Sequence, residues 1–263
     1  MPIIALLTDF GTRDAYVACM KGVILQINPK VTLVDVTHEI GPQNVLHGAF
    51  VLRQTLAYFP PETIFVAVVD PGVGGSRRIL AARYSGRVVL APDNGLVTML
   101  HRDAELEELR FVESRRYFAA QISNTFHGRD IFAPVAAHLS RGVPLSQLGP
   151  PADRIEVLNV PRPVLHPDGG IEGQVLTIDR FGNLITNISD IDLSAARSPH
   201  RGKPYEVTLG EQVIGPLRVT YGEVAPGSPL ALIGSARLLE IAVNGGSAAE
   251  RFSAGVGASV RLR

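Results

Sequence analysis

The feature that most constrains this chain is a change of rhythm at LNVPRPVLHPDGG, Leu158 to Gly170. Before it, short apolar runs alternate with stretches at helical spacing. IIALL predicts a strand, and AYVACMKGVILQI, with Tyr16, Met20, Val23 and Ile24 in helical register, predicts a helix stopped by Asn28 and Pro29. VTLVDV predicts a second strand, NVLHGAFVLRQTLAYF a helix ended by Pro60 and Pro61, and TIFVAVV a third strand. Strand, helix, strand, helix, strand implies a largely parallel sheet covered by helices, because parallel neighbours need long crossovers. ILAARY and RVVLA add strands, and a helix is expected from Gly128 through Ser140. After the break, no helical period of convincing length follows. GQVLTI, LITNI, PLALIG, LLEIAV and the alternating Val260 to Arg263 are short β patterns between Gly, Pro and Asn turns. The expected organisation is an α/β domain over residues 1–160, a linker over 161–170, and a β-barrel or sandwich over 171–263.

Composition narrows the function classes. With 46% hydrophobic residues in 263, the chain can bury real cores. Its 25 basic and 25 acidic residues cancel, so no global field favours nucleic acid or an anionic membrane. The start MPIIALLTDF has no basic leader, and one cysteine cannot form an internal disulfide, so a cytoplasmic protein without a membrane span is expected. Cys19, among apolar neighbours, is expected to be a buried structural thiol.

Ligands of open α/β sheets bind at the carboxyl ends of strands. The first strand ends in TDFGTRDAY, where Asp9 can accept from a ribose diol and Asp14 can cap the next helix. The third ends in DPGVGGSRR, where Asp70, backbone amides and Arg77 can converge, or where a tight hairpin can leave the arginines solvated. Neither a Walker loop, which needs Gly-Lys-Ser/Thr, nor a dinucleotide fingerprint fits this stretch. In NTFHGRDIFAPVAAHL, His127 stands just before a helix start, which favours the neutral imidazole, and Asp130 falls in the first turn. The absence of HExxH, CxxC or a DxH array argues against a metal site. In DRFGNLITNI, Asp179, Asn183 and Asn187 can read an ammonium and a carboxylate or serve turn chemistry around Gly182. Ser235 and Asn244, on expected loop ends of IGSARLLEIAVNGGS, carry the same two readings.

Taken in order, LLTDFGTRDAYV, VDVTHEI, VVDPGVGGSRR, PDNG, NTFHGRDIFAPVAAHL, DRFGNLITNI and IAVNGGSAAE resemble the S-adenosylmethionine hydroxide adenosyltransferase family, relatives of the fluorinase and chlorinase, over nearly the whole chain. The resemblance implies an α/β domain with a C-terminal β-barrel, assembled as a homotrimer with active sites between neighbouring subunits. It implies hydrolysis of S-adenosyl-L-methionine to adenosine and methionine, with no cofactor. It places the hydrolytic triad on Asp70, Arg77 and His127, where halogenating relatives have tyrosine for Asp70 and tyrosine then serine for His127 and Gly128. Asp9 should hold the ribose hydroxyls, Asp179, Asn183 and Ser235 the methionine end, and Tyr221 and Asn244 the adenine. Two rivals stand beside it: a metal-dependent hydrolase of another nucleoside, and a non-catalytic adenosine or S-adenosylmethionine sensor. A sensor would have no need for Asp70, Arg77 and His127 together.

Overall fold

A computed structural model describes residues 1–196 and 205–263, which divide into two compact units, 1–159 and 160–263. In the first, strands β1 (Ile3–Thr8), β2 (Thr32–Thr37), β3 (Ile64–Val68), β4 (Ile79–Tyr84), β5 (Arg87–Pro92) and β6 (Leu106–Phe111) form one sheet in the order β2-β1-β3-β5-β4-β6. The pairs β2/β1, β1/β3 and β3/β5 are parallel, whereas β4 runs antiparallel to both β5 and β6. The stretch DPGVGGSRR is therefore not a hairpin: β5 lies between the two strands it connects.

Alternation along the strands explains why the sheet reads as continuously apolar. Ile4, Leu6, Val66 and Val68 enter one core with Met20 and Ile24 of helix α1 (Tyr16–Ile27). Ala5, Leu7, Phe65 and Ala67 enter a second core on the opposite face, with Leu52 and Leu56 of α2 (Val45–Leu56) and Leu100 of α3 (Thr98–Asp103). Both faces are covered, so both sets of side chains must be apolar. A π-type turn over Gly128–Phe132 runs into α4 (Ala133–Leu139), whose Val135, Ala136 and Leu139 join the first core.

Two local expectations fail in α1. Cys19 is exposed, because the buried stripe is Val17, Met20 and Ile24 and position 19 turns away from it. Asp14 caps nothing: Ala15 occupies the N-cap, without a side-chain hydrogen bond.

The second unit is a closed barrel of seven strands. After β7 (Val164–Leu165), the order is β14 (Ser259–Leu262), β10 (Glu206–Leu209), β11 (Gln212–Arg218), β12 (Pro229–Ile233), β13 (Leu238–Val243), β9 (Leu184–Ser189) and β8 (Ile171–Ile178), with β8 pairing back to β14. Closure removes the free edges that an open sheet would present. Inward residues such as Val175, Leu184, Val207, Ile241, Val260 and Leu262 fill the interior. Helices α5 (Asp190–Ala195) and α6 (Ala248–Phe252) are one or two turns long, too short to show a helical period in the sequence. Among the described residues, β11/β12 is the one parallel pair of the barrel; it requires a crossover, and that connection carries Tyr221.

Candidate active site

The chain leaves β1 toward one side of the sheet, and β3 lies on the other, so the tips of β1 and β3 flank a topological switch point. That is where open α/β sheets bind ligands. Asp9 directly follows β1, and Asp70 lies two residues beyond β3.

Arg77 organises this edge. Its Nε donates to Asp70 Oδ1 and Oδ2 at 3.1 and 3.0 Å, and its Nη2 donates to Asp70 Oδ2 at 2.5 Å. The same Nη2 lies 2.8 Å from His127 Nδ1. A guanidinium has no acceptor and keeps its protons, so Nδ1 must accept, and the neutral ring carries its proton on Nε2. Burial pushes the His127 pKa below its ordinary value, the Arg77 charge pushes the same way, and Asp70 and Asp130 oppose them. The Asp70 and Arg77 side chains are only 4% and 11% exposed, so their attraction is weakly screened by water.

The two loops that carry the triad dock backbone to backbone. Gly74 has φ +76°, and a Cβ there would collide with the carbonyl oxygen of Asn124, so only glycine fits. Asp130 is buried; its Oδ2 accepts from the Ser123 amide at 2.8 Å, and Arg129 grips both oxygens. Burial raises the Asp130 pKa, but the bonds from Arg129 and Ser123 outweigh it and hold the carboxyl below its usual range. Asp130 thus ties down the loop preceding His127, a larger role than the helix-end stabilisation expected of it. Phe10, Tyr16 and Phe126 form an aromatic triangle with centroids 5.1 to 5.8 Å apart, joining the β1 tip to the same loop. Among the described residues, no three His, Cys, Asp or Glu side chains stand close enough to hold a metal ion.

On the barrel, Asn183, Tyr221 and Asn244 line one open hollow of about 510 Å³ with Phe181, Val243 and Gly245. Asp179 builds its rim: Oδ1 accepts from the Phe181 and Asn183 amides at 2.9 Å, and Oδ2 accepts from Asn183 Nδ2 at 2.9 Å. Gly182, at φ +82°, closes this turn where a Cβ would strike the Ser247 hydroxyl. Asn187 is not part of the hollow. It is buried, and its side chain accepts from Gln174 N and donates to Pro161 O, which makes it a structural brace. Ser235 lies exposed in the β12–β13 hairpin and does not line the hollow.

Two residues of these sites escape a reading of the sequence. Asn94 donates 2.9 Å to the Val69 carbonyl and so fixes the residue before Asp70; its signal is an Asn-Gly pair at a strand tip. Glu240 is 6% exposed and accepts the Tyr221 hydroxyl, and its carboxylate packs against Gly234 beside Ser235. Burial raises its pKa, with Asp179 adding to the rise and the Tyr221 bond opposing it. Its signal is a lone carboxylate inside the apolar strand LLEIAV.

A covered, mostly parallel sheet with an Asp–Arg–His cluster at its switch point, in one chain with a closed barrel bearing a polar hollow, defines an α/β-plus-barrel enzyme. The chain belongs to the SAM hydroxide adenosyltransferase family, whose N-terminal domain model matches residues 4–149 and whose C-terminal domain model matches residues 173–261. It is 42% identical to the (R)-S-adenosyl-L-methionine hydrolase of Thermus thermophilus, covering 97% of each chain. It is 31% identical to the fluorinase of Actinopolyspora mzabensis, covering 99% of this chain and 97% of that one. The fold matches the crystal structure of an uncharacterized conserved protein from Thermotoga maritima with a TM-score of 0.91 at 37% identity, covering 98% and 99% of the two chains.

Proposed function

We propose that this chain hydrolyses S-adenosyl-L-methionine to adenosine and L-methionine by attack of water or hydroxide on the 5′ carbon. The observation that carries the reading is Arg77 bridging Asp70 and His127 at the switch point, in a chain similar over nearly its full length to hydrolases of that substrate. The sulfonium leaves as a neutral thioether, so no acid is needed at the leaving group. The work lies in the nucleophile, which must be deprotonated, desolvated and aligned with the carbon–sulfur bond. With Nδ1 engaged by Arg77, His127 offers its Nε2–H to the nucleophile's oxygen. Asp70 keeps acceptor capacity beyond its bonds to Arg77 and takes the proton, while the guanidinium stabilises the negative charge that develops.

In this reading Asp9 accepts from the ribose hydroxyls, Asp179, Asn183 and Ser235 meet the methionine end, and Tyr221 and Asn244 face the adenine. The hydrolase relatives are named for the R sulfonium, and this chain takes the same epimer in this reading. No cofactor is used. The assembly is a homotrimer with sites between neighbouring subunits, in the cytoplasm. Among the described residues, no helix is long and apolar enough to cross a membrane.

The test is chelator-treated protein with each sulfonium epimer in oxygen-18 water. Labelled adenosine plus methionine is the expected result. Loss of turnover on chelation would support a metal-dependent hydrolase, and binding without turnover would support a sensor. Light scattering checks the trimer, expected at three times the 28.2 kDa chain.

A further inference from the structure

The segment after β2 encloses the tip of β1. The His38 ring lies 2.8 Å from the Thr8 hydroxyl through Nδ1 and 3.0 Å from Asp35 Oδ1 through Nε2. Lys21 of α1 donates to the other Asp35 oxygen at 2.6 Å. On the far side of Asp9 and Phe10, the His38 carbonyl accepts from the Gly11 amide at 2.8 Å. Farther along, the Gln43 amide donates to Asp9 Oδ2 at 2.8 Å, with Gln43 in the left-handed region at φ +61°. Asp9 Oδ1 takes part in none of these bonds.

Asp35, His38 and Thr8 have the connectivity of a nucleophile triad, but access rules that role out. Thr8 is fully buried, His38 is 5% exposed, and the threonine oxygen already accepts from the Phe10 amide at 3.2 Å. One polarity satisfies every group: Phe10 N–H to Thr8, Thr8 O–H to His38 Nδ1, His38 Nε2–H to Asp35, and Lys21 to Asp35. Burial opposes ionisation of Asp35, yet the bonds from Lys21 and His38 outweigh it and hold its carboxyl below the usual range.

We propose that His38 is a positioning residue that sets the aim of Asp9, gripping the β1 tip on both sides of that carboxylate through its ring and its backbone carbonyl. The Asp9 carboxylate is thereby held with Oδ2 engaged and Oδ1 presented to a ligand diol. This inference rests on the reading of Asp9 as the ribose ligand.

Calorimetry with adenosine and 2′,3′-dideoxyadenosine tests it on the full-length protein. Wild type should prefer adenosine, and His38→Ala should lose about tenfold of that preference, the size expected within one hydrogen-bond network, while its affinity for the dideoxy compound stays put. Asp35→Ala, at the exposed end of the relay, should lose about threefold by the same coupling and covers the case in which His38→Ala does not fold. A general structural role would weaken both ligands equally, and full retention of the preference in a folded variant overturns the proposal. Wild-type protein that shows no preference for the ribose diol overturns the reading of Asp9, and this inference falls with it.

Discussion

In the α/β unit, Arg77 reaches Asp70 seven residues away and His127 fifty residues away, and the charged groups hold one another out of water. In the barrel, Asp179 and Asn183 are four residues apart, Tyr221 sits in a short turn capped by Thr220 and Glu223, and Phe181 is 75% exposed. One region brings distant charges together where water is scarce; the other hangs polar groups on local turns around an open hollow. Chemistry on a water nucleophile needs the first arrangement, because preorganised charges act strongly only where solvent does not compensate them. On the proposed function, recognition of the flexible substrate falls to the second. Damage to the first region should therefore appear in kcat, and damage to the second in KM.

The strongest way to break this contrast is Arg77→Met. The variant leaves Asp70 as a buried carboxylate without its partner, which should cost about 3–5 kcal/mol of stability. The folded fraction should lose about a thousandfold in kcat with KM little changed, within the usual range for general-base and charge stabilisation. Urea titration and steady-state kinetics read the two effects separately. A variant that loses KM instead would erase the division of labour between the regions.

A smaller effect should appear as a pH limb. His127 must be neutral to accept from Arg77, and burial together with the Arg77 charge already lowers its pKa. Activity should thus hold at neutral pH and fall only below the ordinary histidine value of 6.5, as the ring gains a second proton. The same lowering makes the folded state bind fewer protons than the unfolded one. Its contribution to stability is complete above the ordinary value and is lost as the pH falls through the lowered one. His127→Gln should cut kcat by about a hundredfold and abolish that limb. Persistence of the limb in the variant would assign it to another group.

How much of this is legible in the sequence follows the same division. Strands buried on both faces announce themselves as apolar runs, and the carboxylates that close two of those runs, Asp9 and Asp70, mark the tips of β1 and β3. The antiparallel placement of β4 is not legible, because ILAARY and RVVLA read alike in either direction. Nor is the exposure of Cys19, since a helix in which most residues are apolar does not reveal which stripe faces the core. Asn187 and Asn183 are both asparagines near one glycine, and only the barrel register shows that the first braces Gln174 while the second faces the hollow. Glu240 escapes because its partner, Tyr221, lies nineteen residues away on a crossover that leaves no periodic trace.

On the barrel side, Asp179→Ala should raise KM about tenfold with kcat changed by less than about twofold. It removes a candidate ligand and also unfastens the Asn183 amide and side chain, so two hydrogen-bonding groups of the rim lose their placement. A fall in kcat equal to the fall in kcat/KM would show that the barrel acts in the transition state, and the contrast would fail.

The finest test is Tyr221→Phe, because it removes one oxygen and leaves the ring wall of the hollow in place. The tyrosine hydroxyl donates to Glu240, and burial, that bond and Glu240's charge all push the Tyr221 pKa upward, so the hydroxyl stays protonated at any working pH. Without it, Glu240 loses its hydrogen bond from Tyr221 while remaining buried, and its protonated form is favoured further. The pocket edge should then loosen by about a threefold rise in KM, typical of one neutral-to-charged hydrogen bond replaced in part by water or by protonation. Glu240→Gln in the same background should add little, since a neutral amide no longer needs a donor as strongly as a carboxylate does. Equal and additive losses in the two variants would mean that Tyr221 and Glu240 act independently, and that the hollow owes its shape to the turn alone.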